Sequence, residues 1–202
     1  MSKTRKSLLT AFIAGLSCVF GFAPFGIFVI PVLALAVLFV LWGRADSPRA
    51  AGCLGFAFGL GLFGAGIGWI YVALHDYGNM PLLLALPATL LFAAFIALFP
   101  ALAGVVFRSP EKERSSRAEA VCSLPAQVSL RVLMPAVWVL VEWLRGTIFT
   151  GFPWLALGYA HSGSPLAGYA PLFGVYGVSL VAAVSSGLLA WLYDDVGARP
   201  AR

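Results

Sequence analysis

The residues best placed to do chemistry lie close together, between positions 142 and 154 in the stretch EWLRGTIFTGFPW. Glu142 and Arg145 put an acid and a base, three residues apart, inside an otherwise apolar run, and Gly151, Phe152, Pro153 and Trp154 follow as a break. Residues three apart share a helical face and can pair. A charge at the centre of a bilayer costs roughly 2.5–3.5 kcal/mol on insertion scales, so a pair kept there marks a functional site or a lock between helices. On physical grounds alone the two readings weigh equally. The position of the pair, next to the aromatic break, favours the site.

The elements that must carry this pair are membrane spans. The chain has 202 residues, of which 61% are hydrophobic and 10% charged, with a mean hydropathy of +0.95, outside the range of soluble domains. Ser7 to Gly43, Ala50 to Leu74 and Gly78 to Phe107 hold no Asp, Glu, Lys or Arg. A span needs about 20 apolar residues. The expected fold is all-α, a polytopic transmembrane bundle of about six spans near 8–23, 25–42, 51–74, 82–107, 132–149 and 169–193. A basic segment 1–7 precedes them and a tail 194–202 follows.

Charge sets the expected orientation. Threading six spans in alternation collects twelve of the thirteen Lys and Arg on one side, leaving only Arg145 elsewhere. By the positive-inside rule that side, with the N-terminus, is cytoplasmic. The net charge of +5 is therefore topological and gives no reason to expect nucleic acid. Glu142 and Arg145 then fall roughly 15–20 Å along the fifth helix, past the midplane of the bilayer.

The third span is rich in glycine, with Gly52, Gly55, Gly59 and Gly66 on one stripe and Gly61, Gly64 and Gly68 on the other. Small residues let helices approach closely in lipid, which predicts a central helix. Residues 150–168 are too apolar for an ordinary loop and too broken by Gly and Pro for a helix. Irregular backbone at membrane depth must be buried in protein or line a cavity, so an aromatic, partly re-entrant lip is expected, with Phe152, Trp154 and Tyr159 beside the acid and base. Residues 108–131 read as a solvated connector. Cys18, Cys53 and Cys122 have neither disulfide nor metal spacing, and no cofactor or metal is expected.

Three segments resemble one family: FAPF at 22–25, the glycine-rich stretch at 55–81, and above all PAVWVLVEWLRGTIFTGFPWLALGYAHSGSPLAGYAPLFGVYGVSLV at 135–181. Together they are similar to the membrane domain of bacterial apolipoprotein N-acyltransferases. The resemblance implies transfer of an acyl chain from a phospholipid donor to the N-terminal amino group of a diacylglyceryl-cysteine lipoprotein acceptor, at the cytoplasmic (inner) membrane. It also implies a thioester route through a Glu, Lys and Cys set in an extracytoplasmic nitrilase-like domain. That domain is expected to be absent from these 202 residues, which would make a truncated chain, inactive by itself, with no catalytic residue.

What the resemblance carries over is a substrate-binding role for Glu142, Arg145, Gly151, Phe152, Pro153 and Trp154, as shapers of the lipid access route and portal. The alternative is a small multi-pass transporter or a lipid-binding membrane module, against which stand the lack of an internal repeat and the position of the break near the outer interface. A purely structural or assembly protein, built around the glycine stripes, is the third reading.

Overall fold

The computed structural model describes residues 3–108 and 126–198. Cys122 and most of the charged connector lie outside the described residues. Among these residues the secondary structure is helical throughout, with no strand. The helices are α1 (Lys3–Ser17), α2 (Val29–Gly43), α3 (Pro48–Gly66), the single turn α4 (Trp69–Val72), α5 (Leu82–Arg108), α6 (Ala126–Thr147) and α7 (Ala170–Ala198). Among the described residues, four segments are long and apolar enough to cross a membrane: Pro48–Gly66, Leu82–Arg108, Val132–Thr150 and Pro165–Asp194. The apolar α2 is shorter, and α1 has 15 residues.

Contacts between the six longer helices run in the order α1, α3, α5, α6, α7, α2 and back to α1, closing a ring. Its interior is filled by aromatic side chains. Trp42 stacks on Phe39 and Phe107, and Trp138 meets Trp42 at 6.4 Å and the edge of Phe58 at 5.9 Å. Such offset and edge-on pairs use the ring quadrupole as well as buried area. Trp42 Nε1 donates to the Ala51 carbonyl at 3.0 Å, so the largest core ring leaves no polar atom stranded.

The glycines of α3 explain its two close neighbours. A Cβ on Gly61 would stand 2.2 Å from the Phe12 carbonyl oxygen of α1, and one on Gly55 would stand 2.2 Å from the Pro100 carbonyl oxygen of α5. Both are backbone contacts that cannot swing aside. Gly55→Val is expected to cost about 1–3 kcal/mol by overpacking. Gly64→Ala, with nothing within 4 Å of the new Cβ, should be neutral or stabilising by up to ~1 kcal/mol. Thermal unfolding of both variants in detergent checks the pair; equal melting temperatures would remove the argument for glycine-mediated packing.

The segment expected as one third span is interrupted. α3 ends at Gly66, and after Ile67 and Gly68 the chain makes α4 and a π-helical turn, Ala73–Tyr77. Gly66 and Gly68, which have no side chain, stand on either side of the β-branched Ile67 and weaken the helix there. α1 starts earlier than expected, within the basic segment, because Lys and Arg are good helix formers. α7 runs on to Ala198 past a non-helical, positive-φ residue, Gly174 at φ 64°, ψ −170°.

At one end of the bundle Arg44, just after α2, bonds Asp194 near the end of α7 at 2.9 Å and lies over the Tyr193 ring. The loop at 43–50 and the last turns of α7 therefore share that end, as charge threading requires. Both partners are solvent-exposed, so Asp194→Asn should change stability by less than ~1 kcal/mol.

Candidate functional site

The site is built where α6 ends. Its last two turns place Glu142 and Arg145 toward the ring interior, with 5% and 3% of their surface exposed. The chain then turns through Ile148–Thr150 and doubles back. Phe149, Thr150, Gly151 and Leu155 all have positive φ, at 54°, 74°, 83° and 59°. Three of these four are not glycine, and left-handed backbone at such residues costs of order 1–3 kcal/mol each unless the surroundings hold it.

The surroundings are the two charges. Arg145 Nη1 donates to the Phe152 carbonyl at 2.7 Å and to the Trp154 carbonyl, while the Phe152 N–H returns a bond to the Arg145 carbonyl at 2.8 Å. Glu142 Oε1 accepts from the Leu157 N–H at 2.9 Å and from Trp138 Nε1 at 3.1 Å. One residue thus holds the start of the lip and the other its middle. Further on, the Gly158 N–H donates to Ser179 Oγ of α7 at 2.8 Å.

The direct pairing that a shared helical face allows is not what the structure shows. Among the described residues no ion pair within 4.0 Å joins Glu142 to Arg145. Each instead spends its best bonds on lip backbone, whose unpaired N–H and C=O groups would be costly to bury. The Arg145 guanidinium has a further partner in the Phe63 ring of α3, 5.0 Å away, a cation–π contact.

The aromatic residues divide by exposure. Phe152 is half-buried and meets the edge of Phe92 of α5 at 5.0 Å. Trp154 is 50% exposed and lies 5.4 Å from Trp69 of α4, and Tyr159 is 49% exposed. Gly151 fits because a Cβ there would meet the Gly146 carbonyl oxygen at 2.0 Å. Pro153 carries a carbonyl that accepts from the Ala156 N–H at 3.1 Å, closing a turn. All six residues singled out from the sequence therefore fall in this one neighbourhood.

Sequence reasoning missed Trp138, Ser179, Phe63 and Tyr176. Trp138 carried a usable signal, lying one turn before Glu142 on the same face. Ser179 and Phe63 reach the site only through tertiary packing. Tyr176 of α7 reaches the end of α6, where its hydroxyl occupies the space that a Cβ at Gly146 would need, at 2.0 Å.

At the far end of the lip His161 is buried, its Nδ1 3.1 Å from Ser164 Oγ and its Nε2 without a partner. Burial lowers its pKa below the ordinary 6.5. The unfolded chain therefore takes up this proton first as pH falls. Stability is fully present above pH 6.5 and declines as pH drops below it. Melting temperature measured between pH 8 and pH 5 should fall in the wild type, and fall less in His161→Asn.

No groups of three or more His, Cys, Asp or Glu that could hold a metal occur among the described residues. The arrangement is suited to positioning: an aromatic, partly exposed lip fastened to two buried charges.

Comparison with known proteins gives one family. Residues 14–188 match the family described as apolipoprotein N-acyltransferase N-terminal domain. The chain is 49% identical over 187 residues to the apolipoprotein N-acyltransferase of Nitrosomonas europaea, covering 92% of this chain and 35% of that protein. It is 42% identical over 198 residues to that of Methylococcus capsulatus, covering 96% and 36%, and 42% identical over 179 residues to that of Coxiella burnetii, covering 89% and 35%. The chain thus spans about a third of the length of the curated relatives it matches. With a family match over most of its residues, on a helical bundle with spans of membrane length, this chain belongs to the apolipoprotein N-acyltransferase family and corresponds to its N-terminal membrane domain.

Proposed function

We propose that this chain forms the membrane-embedded substrate portal for acyl transfer from a phospholipid to the N-terminal amine of a diacylglyceryl-cysteine lipoprotein. The observation that carries the reading is the lip: Trp154 and Tyr159 are half-exposed, while the backbone beneath them is fastened to buried Glu142 and Arg145. Exposed aromatics on a rigid base can contact acyl chains without ordering cost on each encounter. The membrane is the bacterial cytoplasmic (inner) membrane, with the N-terminus and the Arg44–Asp194 end on the cytoplasmic side. The lip then lies toward the outer face. Catalysis itself is assigned to no residue of this chain.

The test is photocrosslinking of a phospholipid carrying a diazirine in its acyl chain to the 202-residue protein in nanodiscs. Crosslinks at the lip that fall several-fold in Trp154→Ala, with unchanged thermal stability, support the portal. Labelling indifferent to Trp154, or spread evenly over the outer faces of α5 and α7, would sink it. Orientation is tested separately by labelling a cysteine placed at Asp194 with a membrane-impermeant thiol reagent: protection from the outer face supports it, and labelling from that face overturns it.

A further inference from the structure

Two small cavities meet at Trp138 and Glu142. One lies toward α1 and α2 and is lined by Cys18, Pro31, Leu35, Phe58 and Leu157. The other lies toward α5 and is lined by Phe63, Phe99, Val141 and Arg145. Leu62, Trp138, Glu142 and Leu155 border both. Each leaves about 10 Å³ for the centre of a water molecule, which is about one water.

Size does not decide occupancy; polar partners do, because a buried water needs two to four of them and apolar cavities stay dry. The cavity beside α5 has Glu142 and Arg145 on its wall. Glu142 Oε2 is buried and has no hydrogen-bond partner, and Arg145 commits only Nη1 to the lip, leaving the Nε and Nη2 donors. An acceptor and donors of opposite charge, held on one helix face but beyond direct reach, suit a single bridging water. Toward α1 and α2, apart from Glu142 and the Trp138 N–H already given to it, the wall offers only the Cys18 thiol, a weak donor.

We propose that the α5-side cavity is a built water site, in which one ordered water links Glu142 Oε2 to the Arg145 guanidinium, and that the α1/α2-side cavity is dry. The charges under the lip are then a water-mediated ion pair. The bridge satisfies the remaining carboxylate oxygen while leaving Oε1 and Nη1 free to hold the lip backbone.

Radiolytic hydroxyl footprinting of the folded 202-residue chain in nanodiscs tests this, since radicals generated from an internal water label the side chains around it. Phe58 and Phe63 form a matched pair, 1% and 2% exposed, one on each cavity. Phe63 is expected to be labelled well above Phe58, with the reactive Cys18 protected. In Arg145→Met the excess at Phe63 should be lost while Cys18 and Phe58 remain protected, which shows that the variant is still folded. Phe63 as protected as Phe58 overturns the site, and labelling of both phenylalanines overturns the wet-and-dry assignment. Loss of protection at Cys18 and Phe58 in Arg145→Met moves the comparison to Glu142→Gln. There Oε1 can still accept from the Leu157 N–H and from Trp138 Nε1, and an undiminished excess at Phe63 overturns the charge-bridged assignment. The readout is the labelling of interior side chains and does not depend on lipid contacting the lip, so it stands or falls apart from the portal reading.

Discussion

Glu142→Leu is expected to destabilise the bundle by about 3–5 kcal/mol, the range found when one partner of a buried charge pair is removed. The loss has two parts. Trp138 Nε1 and the Leu157 N–H are left without their acceptor, and Arg145 is left buried without a counter-charge. Glu142→Gln keeps an acceptor at Oε1 and loses only the charge, so its cost should be about half as large, since a bond to a charged acceptor contributes ~1.5–3 kcal/mol. Glu142→Leu combined with Arg145→Met removes both charges, so the part of the loss due to an uncompensated charge should return. Trp138 Nε1, the Leu157 N–H and the carbonyls of Phe152 and Trp154 stay without their partners and keep the double variant less stable than wild type. Lip geometry should not return, since the carbonyls of Phe152 and Trp154 have lost their donor. Thermal unfolding measures the first effect and quenching of Trp154 by a water-soluble agent the second. A double variant that recovers both would show that the charges serve as a lock between helices and nothing more.

The sequence was most informative where one physical rule acted alone. Uncharged runs longer than a bilayer needs located the hydrophobic helices, and the glycines of α3 announced close neighbours on both faces, now identified as α1 and α5. Acid, base and aromatic break were found together because all lie within 13 residues. What escaped was set by packing between distant segments. Spacing showed that Glu142 and Arg145 share a face, yet it could not show that each would turn to the lip backbone. That choice depends on unpaired carbonyl and N–H groups at Phe152, Trp154 and Leu157, which become neighbours only after the chain doubles back. Ser179 and Phe63 belong to the same class, reaching the site from α7 and α3. The break after Gly66 was written in Gly66 and Gly68, but the surrounding hydrophobicity masked it.

Gly151→Ala is the substitution expected to dismantle the lip with the smallest chemical change. Gly151 sits at φ 83°, ψ 141°, a region that costs an L-residue about 1–3 kcal/mol. The added methyl would also stand 2.0 Å from the Gly146 carbonyl oxygen and 3.2 Å from the Thr147 nitrogen. These are backbone atoms at the end of α6, so relief requires the chain reversal itself to open. Opening it separates Phe152 N–H from the Arg145 carbonyl and pulls the Phe152 and Trp154 carbonyls off Nη1. The effect therefore spreads from one methyl to the whole fastening, and a total of about 2–4 kcal/mol is expected from strain and lost charge-assisted bonds together. Gly163→Ala is the control: it lies in the same lip, with nothing within 4 Å of the new Cβ, and should leave both stability and Trp154 quenching unchanged. If the portal reading holds, Gly151→Ala should also abolish lipid crosslinking at the lip even where the bundle stays folded, because Trp154 loses its base. Equal quenching of Trp154 in the two variants would mean that the lip is held by side-chain packing against α4 and α5, with the tight reversal at Gly151 playing no part.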